Sequence, residues 1–368
     1  MKLIFLFWFM IGTTNVHSQC HSVTVQNVTT YAPFAVGSII EAAGLRNGPD
    51  YNGSTLFYPI NGTNNVSSMV LVPGYQASQS SIVAWATYLA SRGFVCLTLD
   101  TNSLSDSPAL RAAALIDGME TIRQENNRSS SPVYQKLNTN SIAVGGWSMG
   151  GGGAQLAAQI DPRIKAVLAI APWINQSSST PSNLNHTAPV LIISGELDPI
   201  APPFIHSDVH YNYTPSTTPK LLFEVSGGSH STPLNPYTGN EDVGNVAFAW
   251  LKLFLEPDPC YCSLLNTASL DQNSTASTYL TNLDCSLLSA SRIHNPDQDI
   301  RVFPNPVIHQ FTVTFSNQQT QDYVLYDVFG QQIKQGKISS GDQIPVEKFS
   351  SGLYFSIIEE QVSRIIKN

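Results

Sequence analysis

Between Ser67 and Glu256 short apolar runs alternate with segments of helical spacing, and few architectures other than a covered, mostly parallel sheet accommodate that order. "SSMVLVPGY" (67 to 75), "FVCLTLD" (94 to 100), "SIAVGGW" (141 to 147), "IKAVLAIAPW", "APVLIISGELD" and "PKLLFEVSGG" read as strands. "IVAWATYLASRG" (82 to 93), "SPALRAAALIDGMETIRQEN" (107 to 126), "GGGAQLAAQID" (151 to 161) and "DVGNVAFAWLKLFLE" (242 to 256) read as helices. The expectation is an α/β layer structure built on one central, mostly parallel sheet with both faces covered. After Cys285 the texture changes. "SRIHNPDQDIRVFPNP" is polar and proline-bearing, as a linker is, and short strand-like runs follow: "FTVTFS", "DYVLYDVFG", "QQIKQGKI", "GLYFSIIEE" and "VSRIIKN". These predict a small C-terminal all-β sandwich. The expected division is therefore a signal peptide over 1–18, an α/β domain over 19–290, a linker over 291–300 and a C-terminal domain over 301–368.

The signal peptide is read from "LIFLFWFMIG" behind Lys2 and the small residues near Ser18, in a run too short to span a membrane comfortably. Cys20 suggests lipidation, but Gln19 stands where a small residue would be required. Export bears on the cysteines. Cys96 sits in an apolar strand pattern and reads as a buried free thiol. Cys20, Cys260, Cys262 and Cys285 can oxidise outside the cytoplasm, and four cysteines allow three pairings. Cys260 and Cys262 are too close in an extended segment to join, so one is expected to reach Cys285 and the other Cys20. A metal site at C-x-C is the alternative, but no histidine cluster accompanies it.

Charge limits the choice of partner. The net charge of −8 on a chain with 12% charged residues offers nothing to nucleic acid or to an anionic membrane. From residue 300 onward six Lys or Arg face six Asp or Glu, so the acidity belongs to the first domain. No metal and no cofactor are expected, and the chain is expected to act as a monomer.

The chemistry is concentrated in "GGWSMGGGG" (145 to 153). A serine hydroxyl needs a base within reach, and that base needs a carboxylate to fix its tautomer. Gly146 to Gly150 fit G-x-S-x-G between a strand and a helix, the setting of a nucleophile elbow with Ser148 at its tip. In this setting an acid and then a histidine should follow, each after a strand. Asp198 in "GELDPIAP" and His230 in "GGSHSTP" do so. His206 and His210, in "FIHSDVHYN", fall on a predicted helix and read as packing or surface residues, with general base or metal ligand as the weighed alternatives. Asp100 also ends a strand but precedes the nucleophile. Two backbone N–H groups should face the developing oxyanion: that of Met149, after the nucleophile, and that of Tyr75, in the loop after an earlier strand.

Taken in order, "PGYQASQSSIVAWATYLASRGFVCLTLDTNS", "SPVYQKLNTNSIAVGGWSMGGGG", "APW", "GELDPIAP" and "GGSHSTP" resemble bacterial cutinase-like polyester hydrolases, including those acting on poly(ethylene terephthalate). The resemblance covers about residues 30 to 290. It implies a cofactor-free α/β-hydrolase fold with Ser148, His230 and Asp198 as the triad and Tyr75 and Met149 as the oxyanion hole. Tyr75 and Trp173 would flank an aromatic or acyl group, and Ile200 would line the cleft. Trp147 stands where many members have His, and Ser231 where many have Phe; the small Ser231 would leave Trp173 room to tilt. Cys285 matches one end of the family's terminal disulfide, with the partner displaced to Cys260 or Cys262. The tail motifs "VFPNP", "LYDVFGQ", "SSGLYFSII" and "RIIKN" resemble the sorting domain of type IX secretion cargo in Bacteroidota, which implies passage to the cell surface or beyond by that machinery. A polymer-binding sandwich fits the strand pattern alone.

The expected activity is hydrolysis of polyesters through an acyl-enzyme. The alternatives are a lipase or short-chain carboxylesterase and, from another class, a polymer-binding surface protein with a vestigial triad.

Overall fold

The computed structural model describes residue 28 and residues 33–174, 184–265, 275–285, 300–315, 320–327, 331–358 and 361–368. The described residues divide into two compact units, one within residues 19–285 and the other within 286–368. The segment read as a signal peptide, and Cys20, lie outside them.

The first unit is built on a sheet of nine strands. In chain order its elements are β1 (Val36–Ile40), β2 (Tyr51–Pro59), β3 (Val66–Val72), α1 (Val83–Ser91), β4 (Val95–Thr101), α2 (Pro108–Asn127), β5 (Leu137–Trp147), α3 (Met149–Ile160), β6 (Val167–Ile170), β7 (Val190–Gly195), α4 (Ser207–Tyr213), β8 (Lys220–Val225), α5 (Asp242–Leu255), α6 (Cys260–Leu265) and β9 (Ala276–Thr281). The spatial order is β1-β2-β4-β3-β5-β6-β7-β8-β9. All pairings from β4 to β8 are parallel, while β1, β2 and β9 join antiparallel at the two edges. This is the mostly parallel sheet expected from the alternation, in the α/β-hydrolase architecture that the family resemblance implied. Every residue of β3, β6, β7 and β8 is buried, which explains why these strands read as mostly apolar runs.

Local signals set the helix starts. Ser107 caps α2, its hydroxyl accepting from Leu110 N at 3.4 Å, and Pro108 occupies the first turn, where its missing N–H costs nothing. The helix α3 begins at the strand's end with four successive glycines, each a poor helix former by about 1 kcal/mol relative to alanine. Their use is steric. A Cβ on Gly150 would lie 2.5 Å from the carbonyl oxygens of Val72 and Pro73, and one on Gly152 would lie 2.2 Å from that of Trp173.

Cys262 pairs with Cys285. Cys260 is also disulfide-bonded, and Cys96 is a buried free thiol whose pKa burial drives upward. The segment bearing Cys260 and Cys262 is helical, not extended as the sequence reading assumed.

The second unit is all-β. It comprises β10 (Arg301–Phe303), β11 (Gln310–Thr314), β12 (Gln321–Asp327), β13 (Gln332–Ile338), β14 (Gln343–Pro345), β15 (Gly352–Ile358) and β16 (Gln361–Lys367). A three-stranded sheet, β10-β11-β14, and a four-stranded sheet, β13-β12-β15-β16, are antiparallel throughout. Phe311, Leu325, Ile344 and Ile358 belong to one shared core. Alternation is visible on β12, where Tyr323 and Leu325 are buried and Asp322 is exposed.

Candidate active site

Ser148 stands between β5 and α3 with φ 56° and ψ −119°, a conformation that a residue with a Cβ rarely adopts. Surrounding contacts over-determine it. Its N–H donates to Ile170 O at 2.8 Å, and its carbonyl accepts from Trp173 N at 2.9 Å and Gly152 N at 3.2 Å. The loop after β3 presses on it from the other side, since a Cβ on Gly74 would come within 3.0 Å of Ser148 Cβ. The strained turn thus sits at the carboxyl edge of the sheet, where loops from neighbouring strands meet.

Asp198 follows β7, and its side chain is fully buried. Its Oδ1 accepts from Ile200 N and Ala201 N, both at 2.8 Å, and its Oδ2 is 2.6 Å from His230 Nδ1. Burial alone would raise its pKa. The bonds from His230, Ala201 and Ile200 outweigh that and hold the carboxyl below the usual carboxylate range. An ionised Asp198 facing Nδ1 dictates that the proton of a neutral His230 sits on Nδ1, leaving Nε2 as an acceptor. His230 follows β8 in a loop tied to the acid's loop: Leu197 N donates to Gly228 O at 2.8 Å, and Gly227 N to Glu196 Oε2 at 2.7 Å. Trp147, next to Ser148 in the chain, donates from Nε1 to His230 O at 3.0 Å, its ring 5.1 Å from the imidazole. His230, Asp198 and Ser148 are therefore linked through the contacts of their loops and of Trp147.

Around this group, Tyr75 is exposed in the loop after β3, and Met149 opens α3, where helix N–H groups lack intrahelical partners. Ile200 is 62% exposed beside the acid, Ser231 is exposed next to the base, and Trp173 is half-buried.

Not every histidine is where its sequence context suggested. His206 lies one residue before α4, not on it. Its Nδ1 accepts from Ile174 N at 3.0 Å and its ring stacks on Trp173 at 5.9 Å and 29°. His210 is fully buried in α4, with Nδ1 2.7 Å from Gln155 Nε2, and Gln155 Oε1 is 2.7 Å from His186 Nε2. Burial lowers the pKa of His206 and takes that of His210 down to about 3, so both read as neutral packing residues. Asp100 accepts from Gln79 N at 2.7 Å and Gln79 Nε2 at 2.8 Å, which occupies it structurally. Sequence reasoning missed His206 as the support beneath Trp173. Nothing in "FIHSDVHYN" marks it, because the contact crosses from another loop.

The family comparison decides the wider question: residues 21–286 match the model described as PET hydrolase-like. The chain belongs to this family. Residues 301–368 match the secretion system C-terminal sorting domain. Among curated relatives, the chain is 35% identical over 230 residues to Cutinase est1 of Thermobifida alba, covering 62% of this chain and 74% of that protein. It is 34% identical over 230 residues to Cutinase 2 of Thermobifida cellulosilytica, covering 62% and 83% respectively. It is 32% identical over 212 residues to a bis(hydroxyethyl) terephthalate hydrolase of Streptomyces coelicolor, covering 57% and 64%. A PET hydrolase-like unit followed by a sorting domain describes a protein delivered to the cell surface or beyond. No helix among the described residues is long and apolar enough to cross a membrane.

Proposed function

We propose that the protein hydrolyses ester bonds of polyesters outside the cell with Ser148 as nucleophile, His230 as general base and Asp198 as its orienting acid. The observation that carries this reading is the 2.6 Å pairing of His230 Nδ1 with a buried Asp198, on loops bonded to the turn that strains Ser148. Ser148 Oγ attacks the ester carbonyl carbon while its proton passes to His230 Nε2. The tetrahedral oxyanion takes hydrogen bonds from Tyr75 N–H and Met149 N–H, and the C–O bond to the alcohol breaks as His230 returns the proton to the leaving oxygen. Water, deprotonated by His230, then cleaves the acyl-enzyme and restores Ser148.

The substrate class follows from the surroundings. Exposed Tyr75 and Ile200, with Trp173 seated on His206, offer flat apolar surface to an aromatic or acyl unit. As the family resemblance implies, the small Ser231 would leave Trp173 room to tilt. Relatives whose names specify cutin and bis(hydroxyethyl) terephthalate support an aromatic or aliphatic polyester over a triglyceride. The protein acts as a monomer, and its C-terminal domain engages the type IX secretion machinery.

Product chromatography after incubating the full chain with amorphous poly(ethylene terephthalate) film and with tributyrin tests this reading. Aromatic acid products from the film, absent with Ser148→Ala, are the expected result. Tributyrin hydrolysis alone would reduce the protein to a lipase or short-chain esterase, equal hydrolysis by wild type and Ser148→Ala would remove Ser148 as the nucleophile, and hydrolysis by neither would remove the enzyme reading.

A further inference from the structure

Arg111 takes no part in the steps above, yet it lies fully buried one turn into α2. Its hydrogen bonds go to main-chain carbonyls: Nε donates to Asp106 O at 3.0 Å, Nη1 to Pro73 O at 2.8 Å and Nη2 to Leu104 O at 3.1 Å. Leu104 O accepts in addition from Gln76 N at 2.8 Å. Pro73 and Gln76 bracket Gly74 and Tyr75, so both ends of the loop that carries the Tyr75 N–H are held by one guanidinium, directly or through the Leu104 carbonyl.

The same side chain bears on the nucleophile's helix. A Cβ on Gly153 would meet Arg111 Cβ at 2.9 Å, and one on Gly150 would meet Pro73 O at 2.5 Å, so Arg111 and the loop it holds lie directly against α3. Burial works against the cation, lowering its pKa, with Asp106 nearby pulling the other way. An apolar side chain of similar length would fill this volume without that penalty, and a lysine would reach one acceptor where the planar fork reaches three. The retained feature is the geometry of the fork.

We propose that Arg111 is a positioning residue of the oxyanion hole. It fixes the Pro73–Gln76 loop against α3 so that the N–H groups of Tyr75 and Met149 converge on one point. The inference rests on the reading of Ser148 as nucleophile. Oxyanion contacts form chiefly in the transition state, so disturbing them lowers kcat more than it raises KM.

The test compares full-chain wild type, Arg111→Met, Arg111→Lys and Ser148→Ala on p-nitrophenyl butyrate, well below each protein's melting temperature, with active serines counted by a p-nitrophenyl phosphonate. Arg111→Met is expected to lower kcat per titrated serine by about 100-fold, comparable to losing one oxyanion donor, with KM changed by less than about threefold. The phosphonylation rate should fall in parallel, because the phosphonyl oxygen occupies the same hole. Arg111→Lys, able to hold one carbonyl, should recover about tenfold of the loss. A kcat per titrated serine within about threefold of wild type in both variants, whatever the melting temperature, would overturn the proposal. Should Arg111→Met fail to fold, Arg111→Lys decides by the same criterion: about a tenfold deficit supports the proposal and wild-type kcat overturns it. If Ser148→Ala reacts with the phosphonate as wild type does, the nucleophile reading itself fails. If Ser148 is labelled while the Arg111 variants match wild type, the positioning role alone fails.

Discussion

Replacing Asp198 by asparagine is expected to lower kcat on a soluble ester by about 10⁴-fold, the scale found when a triad acid is replaced by its amide. The bonds around the carboxylate explain why so small a change acts so strongly. Ile200 N and Ala201 N both donate to Oδ1, which fixes that position as the amide oxygen of the variant. The amide nitrogen then takes the Oδ2 position, 2.6 Å from His230 Nδ1, where two donors would face each other. His230 can resolve the conflict by moving its proton to Nε2, and in that tautomer it cannot accept the proton of Ser148 Oγ. Backbone bonds at Oδ1 survive, so the protein should remain folded. Circular dichroism with steady-state kinetics checks both halves, and a folded Asp198→Asn variant within tenfold of wild-type kcat would contradict the assigned role.

Acid is expected to destabilise the fold well above the range where carboxylates titrate. His186 and His210 are buried and held neutral, with pKa values lowered to about 4 and about 3, mainly by desolvation. The two are joined through Gln155 of α3, whose amide nitrogen donates to His210 Nδ1 and whose oxygen accepts from His186 Nε2. Protonating His210 at Nδ1 would set donor against donor in a closed site. In the unfolded chain both histidines take up a proton near pH 6.5, whereas in the native state they do so only near pH 4 and pH 3. The unfolded state therefore binds more protons below pH 6.5, and stability falls as pH falls through that window. Each histidine contributes a slope of about 1.4 kcal/mol per pH unit, so the pair removes on the order of 5 kcal/mol between pH 6.5 and pH 4.5. That is a large share of the stability of an ordinary domain. Urea unfolding at pH 7.5, 5.5 and 4.5 measures it. His210→Leu, though less stable at pH 7.5, should show about half the slope. Equal stability of the wild type at pH 7.5 and pH 4.5 would refute the account.

The parallel strands, and the places of Ser148, Asp198 and His230 at their ends, were legible in the sequence for one physical reason. A strand buried on both faces is apolar over most of its length, and a site at the carboxyl ends of such strands inherits their spacing. β3, β6 to β8 and the second half of β5 carry that signal, and Ser148, Asp198 and His230 follow three of these strands. The edges carried none. β1 has no buried residue, and β9 alternates between half-exposed and exposed, so neither produces an apolar run. β2 was missed for another reason, since Asn52 and Gly53 interrupt its start with a bulge. Contacts made across loops left no trace either: His206 beneath Trp173 and Arg111 behind the Pro73–Gln76 loop depend on chain segments far apart in sequence. The pairing of Cys262 with Cys285 was within the expected set, but the helix that presents Cys262 was not anticipated.

The most direct test of the central claim is mass spectrometry of the intact chain after reaction with a phosphonate ester. The predicted result is one adduct per molecule, located by peptide mapping on Ser148, with ester turnover lost in proportion to labelling. An adduct on any other residue, or full turnover by a completely labelled protein, would contradict the claim that Ser148 is the nucleophile.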